Sequence, residues 1–306
     1  MLRQAILAAS RNQTVRHVVA RAPVSRRVVR RFVAGESAQD AVNATAKLID
    51  AGLTVSLDHL GEDTLDAGQA EATVKAYLVL LDHLAAAGLT RDGRAEVSVK
   101  LTAVGQAIDE SLALDNARTI CASASAAGTT VTLDMEDHTT TDSTLRVLHA
   151  LRADHPSTGA VLQAYLHRTA DDCTALAVAG SRVRLCKGAY REPESVAYQS
   201  PAEVDRSFVR CLEILMAGPG YPMVASHDPA MVAAATSLAA HRAAGSYEFQ
   251  MLYGIRPLEQ TRLAAEGATV RVYVPYGDEW YGYLMRRLAE RPANLTFFLR
   301  ALASRT

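Results

Sequence analysis

Arg286 and Arg287, adjacent near the end of the chain, are well suited to gripping a small carboxylate. A planar guanidinium meets a carboxylate through two parallel hydrogen bonds, which an ammonium cannot do. They lie in the stretch Tyr273–Glu290, where Trp280, Tyr283 and Arg287 recur at three- and four-residue spacing and so share one helix face. Neighbouring arginines on a helix diverge by about 100°. Both still reach one anion if the helix lies across the mouth of a cavity. The plain alternative is a surface helix with ordinary arginines.

A second set of polar residues follows the β-rich runs of the chain. Lys100 ends the second run, and Asp134, Glu136 and Asp137 end the third. Gln163 lies in the fourth, Arg184 and Lys187 in and after the fifth, and Ser226, His227 and Asp228 after the sixth. Gln250 lies in the seventh and Tyr273 in the eighth. The chain has only four lysines, and two of them, Lys100 and Lys187, fall at these run ends. Each residue also has a structural explanation. Lys100 and Asp134 can neutralise one another, His227 can be a hydrogen-bonded core histidine, and Gln163 and Gln250 can satisfy backbone groups. A lysine at a strand end also suits an imine-forming lyase. A barrel that binds a carboxylate without catalysis is a third reading. The four cysteines are scattered without ligand spacing, so no metal site is expected and a reducing compartment fits.

These residues need a scaffold that brings run ends together. The runs Thr54–Leu57, Ala95–Leu101, Thr129–Asp134, Ala160–Leu166, Arg182–Cys186, Met223–Ala225, Tyr247–Met251 and Thr269–Val274 are apolar or β-branched, as strands buried on both faces should be. Between them lie helical stretches, among them Ala70–Ala87, Gln106–Ala127, Pro201–Met216, Pro229–Ala243 and Pro257–Glu266. Prolines open the last three. Eight strand–helix units with no break in composition predict one closed (β/α)8 TIM barrel over residues 51–306. A doubly wound open sheet is the competing arrangement, but no G-x-G-x-x-G follows the first strand. In such a barrel the strand ends are where function sits.

A net charge of -1 excludes nucleic acid as a partner for the body of the chain. Residues 1–35 differ, with eight arginines and no acid before Glu36. Residues 1–50 are expected to form a helical arm. A transit peptide, an arm touching anionic lipid, and an arm solvated on the body are all compatible with that composition.

The run Arg184–Tyr190 resembles the R-L-V-K-G-A-Y signature of proline dehydrogenases. So do Val99–Thr102, Leu133–Glu136, Gln163–Tyr165, Ala225–Asp228, Glu248–Gly254 and Tyr273–Glu290. Arg31–Glu36 and Leu57–Glu62 look like the bacterial single-function members, and the resemblance spans nearly the whole chain in order. It implies a distorted (β/α)8 barrel with an extra C-terminal helix over its mouth and noncovalent FAD. By position, Met135, Gln163, Arg184, Lys187, Gly188, Ala189, Ser226, His227, Gln250 and Glu290 would contact the flavin. Lys100, Asp134, Tyr190, Leu252, Tyr273, Tyr283, Arg286 and Arg287 would shape a pocket for L-proline, with Asp134 and Arg184 closest to the chemistry.

The implied reaction is hydride transfer from proline to FAD, giving Δ1-pyrroline-5-carboxylate, with a quinone as electron acceptor. The next oxidation would fall to a separate pyrroline-5-carboxylate/glutamate-semialdehyde dehydrogenase. The location expected is cytoplasmic, with a peripheral contact on the inner face of the membrane. Three positions depart from the pattern: Cys186 replaces a valine, Arg191 an aromatic residue, and Ser226–Asp228 a threonine–histidine–asparagine run. Asp228 would place a negative charge near the flavin.

Overall fold

The computed structural model describes residues 29–290, without the side chains of residues 286–290. All eight predicted strands form. In chain order the elements are α1 (Ala38–Asp50), β1 (Thr54–His59), α2 (Ala67–Ala86), β2 (Ala95–Val99), α3 (Glu110–Ala126), β3 (Val131–Leu133), α4 (Thr141–Asp154) and β4 (Ala160–Gln163). There follow α5 (Thr169–Leu176), β5 (Arg182–Cys186), α6 (Pro201–Ala217), β6 (Tyr221–Ala225), α7 (Pro229–Leu238), β7 (Glu248–Leu252), α8 (Pro257–Ala265), β8 (Val270–Tyr276) and α9 (Trp280–Glu290). The corrections are at the ends. β2, β3 and β4 stop short of Leu101, Asp134 and Leu166, because the chain turns outward there to form the rim. Helix α7 ends at Leu238 and gives way to a 3-10 turn over Ala239–His241.

The helices start where the chain supplies acceptors for their free N–H groups. Asp66 accepts from Gln69 N, Asp109 from Ser111 N and Leu112 N, and Asp228 from Ala230 N. Pro201, Pro229 and Pro257 occupy the first turns of α6, α7 and α8. Among the described residues no helix is long and apolar enough to cross a membrane.

All strand pairs are parallel, and the sheet runs β3-β2-β1-β8-β7-β6-β5-β4. Closure between β3 and β4 rests on one residue outside both strands. Gly159 N donates to Val131 O at 2.8 Å and Gly159 O accepts from Leu133 N at 2.9 Å. A Cβ at Gly159 would lie 2.6 Å from Thr132 Oγ1, so the approach requires glycine.

Alternation along the strands sorts the side chains. Val55, Leu57, Val97, Val99, Val183, Leu185, Val272 and Val274 are fully or almost fully buried and join the helices in one hydrophobic core. The opposite faces turn into the barrel and are largely polar. Arg184 on β5 reaches Ser56 on β1, Ser98 on β2 and Gln250 on β7, which only an inward side chain can do. At the barrel floor Arg182 donates to Glu96 at 2.6 Å and Arg271 to Glu248 at 2.8 Å, with Glu96 3.9 Å from Arg271. Burial works against the charge on Glu96, but the guanidiniums of Arg182, Arg271 and Arg184 outweigh it and hold its pKa down at about 2.

The rim has its own brace. Glu136, after β3, accepts from Thr102 N at 3.1 Å and Thr102 Oγ1 at 2.5 Å. Burial dominates there and pushes the Glu136 carboxyl up to about 7, against the pull of those donors and of Lys100.

Removing Glu96 leaves three buried guanidiniums short of their counter-charge. Glu96→Ala is therefore expected to lower the unfolding free energy by about 3–5 kcal/mol, read from urea titration. A change below about 1 kcal/mol would show that the arginines do not depend on it. Glu136 gives the opposite pH dependence. Its folded pKa lies above the unfolded value, so its contribution is whole below pH 4.5 and drains away as pH rises through about 7. Relative to Glu136→Gln, the parent should lose up to about 3 kcal/mol of stability between pH 4.5 and 8. Parallel pH–stability curves for the two proteins would contradict this.

Candidate active site

The inward polar residues rise in tiers from the floor toward the C-terminal ends of the strands. Arg184 occupies the middle tier and is 5% exposed. Its Nε donates to Gln250 Oε1, its Nη1 to Ser98 Oγ at 2.9 Å and Asp134 Oδ1 at 2.6 Å, and its Nη2 to Ser56 Oγ at 3.2 Å. Its Cζ stands 5.2 Å from the ring centroid of Tyr273, a cation–π contact. Tyr273 in turn donates to Asp134 Oδ2 at 2.6 Å. Asp134 thus spends both oxygens, one on the guanidinium and one on the phenol. Burial, with the charges of Asp134 and Asp58, drives the Tyr273 phenol well above its ordinary pKa, so it stays a donor.

Lys100 pairs with Asp134 as expected, but Asp58 is its nearer partner. Lys100 Nζ lies 2.7 Å from both oxygens of Asp58 and 3.8 Å from Asp134. Burial opposes the ammonium, but Asp58 and Asp134 outweigh burial and raise its pKa. Burial likewise drives Asp58 up to about 6 despite the Lys100 charge, and Asp134 adds to the push. Asp58 is the residue that motif reading passed over. It lies near the end of β1, two positions after the inward Ser56, and that alternation was the available signal.

These groups floor a cavity of about 460 Å³ that opens at the strand ends. Around it stand Lys100 and Asp134 with Met135, then Gln163, Arg184, Lys187, Gly188, Ala189 and Tyr190. Ser226, His227, Gln250, Leu252, Tyr273 and Tyr283 complete the wall. All of these were singled out from sequence, and the fold brings them together. Asp58, Glu62 and Cys186 line it as well. Tyr283 comes from α9, so that helix runs along the mouth. The side chains of Arg286, Arg287 and Glu290 lie outside the described residues.

Several wall residues have structural partners too. Gln163 Nε2 donates to Glu136 O at 2.7 Å, tying β4 to the loop after β3. Gln250 Nε2 donates to Glu248 Oε1 at 2.5 Å. His227 Nε2 accepts from Leu252 N at 2.8 Å, which puts the proton of the neutral ring on Nδ1. Asp228 does not stand as an unbalanced negative charge. Its carboxylate takes Lys187 Nζ at 2.7 Å and caps α7 through Ala230 N at 3.0 Å, and Lys187 also bonds Asp205. Burial opposes the Lys187 ammonium, and the hydrogen bonds it donates to Asp205 and Asp228 overcome this and raise its pKa.

The segment 187–190 is shared with a second cavity of about 700 Å³, walled also by Tyr165, Arg191, Glu192, Tyr198 and Asp205. Gly188 has φ +118°, and a Cβ there would collide with the Tyr165 ring. Glycine is thus required where the segment crosses Tyr165. Among the described residues no cluster of His, Cys, Asp or Glu could hold a metal ion.

The sequence profile of the family described as "Proline dehydrogenase" matches residues 41–300. "Proline dehydrogenase 1" of Bacillus subtilis (strain 168) is 38% identical over 308 residues, covering 99% of each chain. "Proline dehydrogenase" of Deinococcus radiodurans is 40% identical over 281 residues, covering 89% of each. Among solved structures, proline utilization A (PutA) from Bdellovibrio bacteriovorus, inactivated by N-propargylglycine, superposes with a TM-score of 0.78 at 27% identity. That match covers 86% of this chain and 32% of the PutA chain, so the chain spans about a third of that larger protein. The barrel, the polar rim and the full-length relatives agree: the chain belongs to the proline dehydrogenase family, and it is an enzyme of that family.

Proposed function

We propose that this enzyme oxidises L-proline to Δ1-pyrroline-5-carboxylate with noncovalently held FAD, and that a quinone takes up the electrons. The observation that carries the reading is Arg184, a buried guanidinium fixed by Asp134, Ser98, Ser56 and Gln250 beneath a cavity wide enough for a planar ring and a small substrate. The two adjoining cavities suit a long cofactor with a redox ring at one end and a phosphate-bearing tail. Met135, Gln163, Arg184, Ser226, His227 and Gln250 would hold it on one side, and Lys187, Gly188 and Ala189 on the other, with Glu290 as a further contact. When bound, FAD supplies the two-electron chemistry, accepting hydride from the ring carbon beside the substrate nitrogen.

The remaining roles belong to the chain. Arg184 sets a permanent positive charge where negative charge grows as the cofactor is reduced. Asp134 and Tyr273 prevent that guanidinium from turning away. Tyr190, Leu252, Tyr273 and Tyr283 supply an apolar and aromatic wall for the proline ring. Orientation within ~3–3.5 Å of the acceptor is the main rate device such a wall provides. Arg286 and Arg287 follow Tyr283 on α9 by three and four residues, the spacing of one helix face, and would fix the carboxylate. Lys100 and Lys187 are clamped by carboxylates with raised pKa values, the reverse of what an imine-forming lysine requires. That argues against a lyase.

By the same reading, a separate pyrroline-5-carboxylate/glutamate-semialdehyde dehydrogenase consumes the product. The arginine-rich residues 1–35 would bring the enzyme to the membrane surface where quinone resides.

A visible absorption spectrum tests the core of this. The purified protein should show oxidised flavin that bleaches on anaerobic L-proline. Vesicles of anionic lipid carrying quinone should then restore the colour, and do so more slowly after deletion of residues 1–35. A flavin that fails to bleach would remove proline as substrate, and a protein colourless even with added FAD would remove the cofactor. For the clamp, Arg286→Lys and Arg287→Lys should each raise KM for proline by about 10- to 100-fold, the worth of a charge-assisted fork. An unchanged KM in both would assign carboxylate binding elsewhere.

A further inference from the structure

We infer that Glu192 is a positioning residue for this reaction: held between Tyr165 and His138, it fixes the segment 187–191 that walls both cavities. The inference rests on the flavin reading of those cavities. Glu192 lies on the loop between β5 and α6, yet its side chain is only 3% exposed. Loop carboxylates are almost never buried unless something pays for their lost hydration. Here the compensation comes from two other loops. His138, after β3, donates its backbone N–H to Oε1 at 2.9 Å and presents Nδ1 within hydrogen-bond reach of Oε2. Tyr165, after β4, donates its hydroxyl to Oε1 at 3.3 Å. The Glu192 carbonyl also takes Gln199 Nε2 at 3.2 Å, which closes the loop on itself.

Tyr165 holds the other end of the segment as well. Its N–H donates to Lys187 O at 2.9 Å, and its ring lies under Gly188 where no Cβ fits. One tyrosine therefore anchors residues 187–192 at both ends, and His138 ties the far anchor to the loop after β3. Between the anchors lie Ala189, Tyr190 and Arg191, whose side chains face the cavities. Glu192 is absent from the wall of the first cavity, so its effect there passes through the segment. Without its carboxylate the run loses the hold that His138 and the Tyr165 hydroxyl exert on its far end.

The test uses the full chain loaded with FAD and the variants Glu192→Ala and Glu192→Gln. Three quantities are read: the FAD dissociation constant by flavin fluorescence, KM and kcat for proline, and amide exchange of residues 187–200 with and without FAD. Glu192→Ala should weaken FAD and raise KM about tenfold each, with a much smaller change in kcat. Exchange over 187–200 should quicken while β1 and β8 keep their protection. Glu192→Gln, which retains an acceptor and loses the charge, should recover part of both losses; it also serves if the alanine variant does not fold. An FAD dissociation constant and KM matching the parent in both variants overturn the inference, even if exchange quickens. A parent that binds no FAD overturns the flavin reading alone. In that case quickened exchange with a raised KM still supports the anchor, and unchanged exchange overturns it.

Discussion

A guanidinium cannot be carried to the middle of a barrel without company, and most of what surrounds Arg184 answers that need. Asp134 supplies the charge, Ser56 and Ser98 supply oxygens from two strands on the far side, and Gln250 supplies another from β7. Each partner is then fixed by its own neighbours: Asp134 by Tyr273, and Gln250 by Glu248, which holds Arg271. The interior is a stack of alternating signs, with Glu96, Glu248, Arg182 and Arg271 below and Asp134, Asp58 and Lys100 above. Barrels of this class usually fill the same space with branched aliphatic side chains. A charged filling gains little net stability, but it lets the chain present a fixed cation at the base of the cavity.

Holding that stack still falls to the rim. Glu136 grips Thr102, Gln163 reaches the Glu136 carbonyl, His227 receives the Leu252 amide, and Lys187 bridges Asp205 and Asp228. These bonds join strand ends, the segments after them and, through Asp205, helix α6. Loops that carry functional residues are ordinarily the mobile part of a barrel. Here the polar groups that line the cavity also tie neighbouring parts of its wall together.

The strands were legible because they follow one pattern, continuous apolar or β-branched runs separated by glycine and proline, as buried parallel strands require. Helices α4 and α5 left weaker marks. The stretch Thr141–Asp154 opens on four polar residues before its first apolar one, and Thr169–Leu176 is barely two turns long. The wall of the cavity was readable from strand ends and motifs. Its pairings were not. Lys100 lies nearer to Asp58 than to Asp134 although β2 is hydrogen-bonded to both β1 and β3, a preference that no linear pattern contains. Glu96 and Glu248 escaped notice for a related reason. A charged residue alternating with valine or phenylalanine reads as a solvent-facing position, and only a closed barrel makes that face an interior.

The way the ring closes bears on how the chain comes to be folded. The longest ladder, Thr54–His59 against Arg271–Tyr276, joins the first strand to the last. The seam between β3 and β4, neighbours in sequence, has its backbone bridge at Gly159, outside both strands. A nascent chain leaving the ribosome can pair β1 with β2 and β4 with β5 early. Its first strand, however, keeps one edge bare until more than two hundred further residues have been made. Closing so large a loop is slow, and an open parallel edge invites the wrong partner in the meantime. Synthesis of this enzyme therefore has a long vulnerable interval, ended only when β8 arrives.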